Sequence, residues 1–146
     1  VSEHEGAATA RVLVIDDSNT IRRSAEIFLR QGGYEVVLAE DGFDALSKVN
    51  DHGPDLIFCD ILMPRLDGYQ TCAIIKRNPR FADVPVIMLS SKDGLFDKAR
   101  GRMVGSQDYL TKPFTKDQLL NAVQQHRRGA VRHDPQVATD ASAPNP

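Results

Sequence analysis

Residues 56–68 read Leu-Ile-Phe-Cys-Asp-Ile-Leu-Met-Pro-Arg-Leu-Asp-Gly. The run from Leu56 to Cys59 is apolar throughout, too short for a helix and bounded by breakers, the pattern of a strand buried on both faces. It ends on a single carboxylate, Asp60. Pro64 and Asp67-Gly68 then impose a loop and a helix start, with Asp67 as the cap. An ionised carboxylate at the mouth of a buried strand is costly unless cations or donors surround it. The rest of the chain therefore has to supply the surroundings of Asp60.

The same punctuation recurs on both sides. Upstream, Val12-Leu13-Val14-Ile15 is a buried strand that stops on Asp16-Asp17. Ser18 caps a helix with Ile21, Ala25, Phe28 and Leu29 at helical spacing, ended by Gly32-Gly33. Val36-Val37-Leu38 is a second strand, and Asp41-Gly42 opens a helix carrying Ala45, Leu46 and Val49. Downstream of a helix over Gly68–Arg77, Val86-Ile87-Met88-Leu89 is a strand ending on Ser90-Ser91. A helix over roughly 95–104 aligns Leu95, Ala99 and Met103 as its apolar stripe. Gly101 in its interior weakens it by about 1 kcal/mol against alanine. Asp108-Tyr109-Leu110 is a short last strand, with Lys112 just beyond it. Thr115 to Gln118 form a capping box for a final helix that buries Leu119, Leu120 and Val123 and stops at Gly129.

Five strands alternating with five helices predict an α/β fold: a doubly wound, five-stranded parallel sheet with helices on both faces. The near-continuous apolar strands fit such a sheet, because each is covered on both sides. Residues 1–10 form a flexible leader, 11–128 the domain, and 129–146 a disordered tail of Ala, Pro and polar residues.

Composition narrows the function classes. With 146 residues the chain makes one ordinary domain, and its 41% hydrophobic and 26% charged content is that of a soluble globular protein. A net charge of −2 gives no support for nucleic-acid binding. No apolar run approaches a membrane span, so cytoplasm is the default location without membrane insertion. Cys59 and Cys72 stand in apolar surroundings with no CxxC pair or Cys/His cluster, and read as reduced core thiols.

In open α/β sheets, ligands bind outside the carboxyl ends of the strands. Asp16 and Asp17, Asp60, Ser90 and Lys112 all fall there. Three carboxylates within a few ångströms would raise one another's pKa or splay apart, so a cation is implied. Hard oxygen donors with open positions suit Mg²⁺, which keeps waters and pairs with phosphate. The charges of three carboxylates, one ammonium and one divalent cation cancel. An aspartate beside such a metal and a lysine is poised to attack a phosphoryl group. Singly, each residue has an ordinary alternative: Asp16-Asp17 as capping acids, Asp60 as a turn residue, Ser90 as a helix cap, Lys112 as a solvated lysine. Their joint occurrence at successive strand ends is the specific signal.

Four stretches carry a family resemblance: Val-Ile-Asp-Asp-Ser (14–18), Asp-Ile-Leu-Met-Pro-Arg-Leu-Asp-Gly (60–68), Leu-Ser-Ser-Lys (89–92) and Tyr-Leu-Thr-Lys-Pro-Phe (109–114). Over about residues 11 to 127 the chain resembles the CheY-like receiver domain of two-component response regulators, which has the flavodoxin-like fold. The resemblance implies that Asp60 is the phosphoacceptor, and that Asp16, Asp17, Asp60 and the backbone carbonyl of Leu62 arrange Mg²⁺. It makes Ser90 and Tyr109 the switch pair and Lys112 the phosphate's counter-ion. It also implies a cis peptide before Pro113 that aims the lysine inward, and tuning of the phosphoryl lifetime by Leu62 and Lys92. The switch hydroxyl is serine where threonine is commoner.

Asp-Gly-Phe-Asp-Ala-Leu (41–46), Asp-Gly-Tyr-Gln-Thr-Cys (67–72) and Ser-Ser-Lys-Asp-Gly-Leu-Phe-Asp-Lys-Ala (90–99) further resemble PilG-type receivers. These are stand-alone regulators in a chemosensory pathway controlling type IV pili and twitching motility. The resemblance implies a phosphoacceptor switch, monomeric or weakly dimeric, and not a conventional enzyme. It would be phosphorylated by a CheA-like histidine kinase and would act by binding a cytoplasmic pilus-regulating effector. A receiver-like interaction module that works without phosphorylation is the alternative. A haloacid-type phosphatase would need Asp-x-Asp after the first strand, where Asp16 is followed by Asp17 and Ser18. A flavodoxin would need a Ser/Thr-rich phosphate loop there.

Overall fold

Each of the five segments read as a strand becomes one strand of a single parallel sheet. The computed structural model describes residues 9–91 and 97–127. In chain order the elements are β1 (Arg11–Ile15), α1 (Asn19–Gln31), β2 (Glu35–Ala39), α2 (Gly42–His52), β3 (Leu56–Asp60), α3 (Gly68–Arg77), β4 (Val86–Ser91), α4 (Lys98–Val104), β5 (Asp108–Lys112) and α5 (Lys116–His126). The sheet order is β2-β1-β3-β4-β5, and every pairing is parallel. β3 sits at the centre with all five residues buried, as its unbroken apolar sequence requires. β2 and β5 are the edges, and most of β5 is exposed.

Alternation along the strands sorts the core into two layers. Leu13, Ile15, Ile57, Cys59, Val86 and Met88 face Ala45 and Val49 of α2 and Cys72 and Ile75 of α3. Val12, Val14, Phe58, Ile87 and Leu89 face Ala25 and Leu29 of α1 and Leu119 and Val123 of α5. Phe28 meets Phe114 edge to face with centroids 6.4 Å apart. The helix starts follow the sequence: Ser18, Asp41, Asp67 and Thr115 each accept a backbone N–H in the first turn. The expected capping box at Thr115–Gln118 forms, and Asp67 makes a second one with Gln70.

Several details differ from the sequence expectations. Ala10, assigned to the flexible leader, is buried, and its carbonyl accepts the Glu35 N–H, extending the β1–β2 ladder. α4 begins at Lys98 behind an Asp97 cap, and Leu95 lies outside the described residues. Ala99 and Met103 do not form its buried stripe: Met103 is 85% exposed and Ala99 is exposed, while Gly101 is the helix's buried residue. A seven-residue helix offers only one or two inward positions. Here Gly101 takes one, accepting from both the Ser106 N–H and its hydroxyl. Lys112 is the last residue of β5 and not a residue beyond it. The leader up to residue 8, Arg128 at the end of the expected domain, the tail from residue 129 with the expected Gly129 stop, and Lys92 lie outside the described residues.

Candidate functional site

The carboxyl ends of β1, β3 and β5 bring charged groups to the same point. Asp16 follows β1 and prolongs its ladder through an N–H bond to the Ala39 carbonyl. Its side chain is fully buried. One carboxylate oxygen accepts the Ser18 N–H at 2.8 Å, and the other accepts the Lys112 ammonium at 3.0 Å. Asp17, next in the chain, is exposed. Asp60 closes β3, and its Oδ1 accepts Lys112 at 3.1 Å and the Leu62 N–H at 3.4 Å.

Lys112 reaches these carboxylates from the edge strand, across β4. Two strand spacings, about 10 Å, separate β5 from β3, a span suited to a long cationic side chain. The Lys112–Pro113 peptide is cis.

Backbone geometry holds the acidic residues. The Arg22 guanidinium donates to the Asp16 carbonyl at 2.6 Å and to the Asn19 side chain at 2.9 Å, tying the β1–α1 turn to the first turn of α1. Gly68 lets α3 start directly under Asp60: a Cβ there would stand 2.2 Å from the Asp60 carbonyl oxygen and 2.8 Å from Ile61 Cα. Neither role was read from the sequence. Gly68 stands there only as part of a loop and helix-start signal, and nothing local marks Arg22, whose partner is set by the tertiary position of a carbonyl.

Electrostatics follow from the crowding. Burial first, and then the Asp16 charge, push Asp60 from 3.8 up to about 7, against the lowering pull of Lys112. Burial alone would lower Lys112, but Asp16 and Asp60 outweigh it and raise its pKa. One ammonium does not compensate the acids.

Oxygens of Asp16, Asp17 and Asp60 all lie within 4.8 Å of one another. A cleft of about 190 Å³, lined by Asp17, Asp60, Leu62, Ser90 and Lys112 among others, opens beside them. Hard oxygen donors, excess negative charge and an exposed member that leaves room for water fit Mg²⁺.

Of the other residues singled out in the sequence, Ser90 is buried in the cleft wall and its hydroxyl donates to the Ser91 carbonyl at 3.3 Å. Leu62 stands on the lip with its side chain 70% exposed. Tyr109 does not join the cluster. It is 39% exposed and lines a separate cleft with Lys98, whose ammonium lies 5.9 Å from its ring centroid. Cys59 and Cys72 are buried free thiols, raised in pKa chiefly by burial.

The model of the response regulator receiver domain family matches residues 12–124. Protein PilG of Pseudomonas aeruginosa is 65% identical over 116 residues, covering 80% of this chain and 86% of that protein. Among solved structures, the Vibrio cholerae chemotaxis protein CheY4 superposes with a TM-score of 0.76 at 34% identity, covering 80% of this chain and 98% of that one. The receiver domain of a Pseudomonas aeruginosa sensor histidine kinase superposes at 0.73 with 31% identity, covering 80% and 96%, and holds a magnesium ion coordinated in its active-site cleft.

Proposed function

We propose that this chain, which belongs to the response regulator receiver family, is a phosphorylation switch whose Asp60 accepts a phosphoryl group from a CheA-like histidine kinase. The observation that carries the reading is the convergence of Asp16, Asp17 and Asp60 within 4.8 Å, with the Lys112 ammonium bonded to two of them. Mg²⁺ would be held by the three carboxylates and the Leu62 carbonyl, and when bound it supplies neutralisation of charge on the transferring oxygens.

An Asp60 oxygen attacks phosphorus while the bond to the donor histidine breaks, leaving an acyl phosphate on Asp60. Lys112 keeps Asp16, exchanges its bond to the Asp60 carboxylate for one to a phosphoryl oxygen, and balances the added charge. The Ser90 hydroxyl turns from the Ser91 carbonyl to donate to another phosphoryl oxygen. The room this leaves lets Tyr109 swing in from its exposed position, changing the surface shared by α4, β5 and α5. Leu62 and Lys92 control access of water to the acyl phosphate and so set its lifetime.

Output is protein binding. The PilG-type motifs and the identity to Protein PilG support a cytoplasmic effector that regulates type IV pili and twitching motility. The test is phosphotransfer from a purified chemotaxis-type kinase, with and without EDTA, followed by partner capture from both forms. Mg²⁺-dependent transfer and a partner retained by one form only are expected. Failure of both kinase and acetyl phosphate to label the chain would overturn the reading and leave the phosphorylation-independent module.

A further inference from the structure

The surface over α3 and α4 carries an excess of basic side chains. Among the described residues from Asp67 to Val104, six are basic (Lys76, Arg77, Arg80, Lys98, Arg100, Arg102) and three are acidic (Asp67, Asp83, Asp97), although the whole chain carries −2. The acids are already engaged: Asp67 and Asp97 cap α3 and α4, and Asp83 is not without a partner. Arg77, in the last turn of α3, makes no ion pair among the described residues. The neighbouring α2 segment has the opposite balance, with five acids against one lysine in residues 40–55.

A groove of about 330 Å³ runs along the α3–α4 seam. Leu66, Ala73, Ile74 and Val104 give it apolar walls, and Arg77 and Arg100 stand at its rim. Ile74 is 38% exposed on a helix whose other face packs in the core. Arg100 is held in place: its guanidinium lies 4.4 Å over the Tyr69 ring and 3.7 Å from Asp67. The Tyr69 hydroxyl also accepts the Asp97 N–H at 2.9 Å, fastening the start of α4 to α3. The rim is therefore partly preorganised, which lowers the ordering cost of binding.

We propose that this groove is a docking site for an acidic peptide segment. The segment seats one or two apolar side chains against Ile74 and Val104, and its flanking carboxylates meet Arg77 and Arg100. Its size, at the lower end of ligand-sized sites (~300–1,000 Å³), suits a short anchor motif and not a long helix. Charge complementarity selects the partner class and an apolar anchor supplies the affinity. The site is separate from the acidic cleft and stands whether or not Asp60 accepts a phosphoryl group.

The test is selection of a random displayed peptide library against the full, unphosphorylated chain, with the enriched peptides synthesised as probes. Enrichment of sequences with acids flanking an apolar residue is expected, with mutual competition and amide shifts at Ile74 on binding. Arg77→Glu exchanges an attraction for a repulsion and should weaken binding about tenfold. Arg23→Glu on α1 should leave affinity unchanged. The same loss from both variants, no acidic bias, no enrichment, or insensitivity to Arg77→Glu would overturn the proposal. Self-association in sedimentation that Arg77→Glu abolishes would also overturn it, in favour of a second copy as occupant.

Discussion

β3 and β5 each end in one charged residue, and the two side chains meet at 3.1 Å, yet the strands could hardly be housed more differently. β3 lies at the centre of the sheet with every residue buried. β5 is an edge strand, and α4 above it is a seven-residue helix with Met103 exposed. The Asp60 carboxylate is thus held by a fully buried strand, whereas its cationic partner comes from a largely exposed edge strand. On the proposed function, a change of charge at Asp60 moves little on buried β3 and acts instead on Lys112, Tyr109 and α4.

The largest effect that would sharpen this contrast is on stability. Phe58→Ala on β3 removes a fully buried side chain and should cost about 3–5 kcal/mol in denaturant unfolding. Tyr109→Ala on β5 should cost less than about 1 kcal/mol, leave labelling of Asp60 intact, and abolish the phosphorylation-dependent gain in effector affinity. Similar stability losses from both would break the comparison, and an unchanged affinity gain would remove Tyr109 from the switch.

A smaller effect concerns pH. Asp60 is raised from 3.8 to about 7 in the fold, so folding favours its protonated form. Its contribution to stability without metal is then fully present below about pH 4 and is lost as pH rises toward about 7. Asp60→Asn should flatten that slope. Mg²⁺ acts in the opposite sense, because protons compete for its ligand. At 100 times its Kd it should restore about 2.7 kcal/mol, with less restored as pH falls through the same window. Thermal melts from pH 4 to 8, with and without Mg²⁺, measure both. Parallel melting curves for wild type and Asp60→Asn would show that the crowding of acids has no energetic consequence.

The smallest effect is kinetic and lies on the lip of the site. On the proposed function, the apolar Leu62 offers no hydrogen bond to an attacking water, and the family resemblance gives Lys92 a part in limiting its access. A Leu62→Asn, Lys92→Glu double variant should therefore lose its phosphoryl group a few times faster than wild type in a stopped phosphotransfer assay. Equal or slower decay would show that neither side chain controls the water.

Sheet, helix order and acidic cluster were legible in the sequence because their signals are local. An apolar run of four residues ending on an acid gives both a strand and the end at which its acid lies. Asp67-Gly68 and Thr115 to Gln118 state the helix starts outright. What could not be read depends on residues far apart. The buried face of α4 went unrecognised because, in so short a helix, packing of Gly101 and Val104 against α3 overrides the spacing of Ala99 and Met103. The bond from Arg22 to the Asp16 carbonyl and the close approach of Gly68 to Asp60 exist only once the turns have been folded over one another. Ala10 was read as leader because one alanine carries no pattern, although its carbonyl completes the β1–β2 ladder.

The central claim is that the convergent acids make Asp60 the acceptor. Intact-mass measurement of wild type and Asp60→Asn after incubation with acetyl phosphate and Mg²⁺ tests it most directly. Wild type should gain one phosphoryl group and lose that gain when EDTA is added before the donor, while Asp60→Asn, folded by circular dichroism, should gain none. Full phosphorylation of Asp60→Asn would contradict the claim and move the acceptor to another residue.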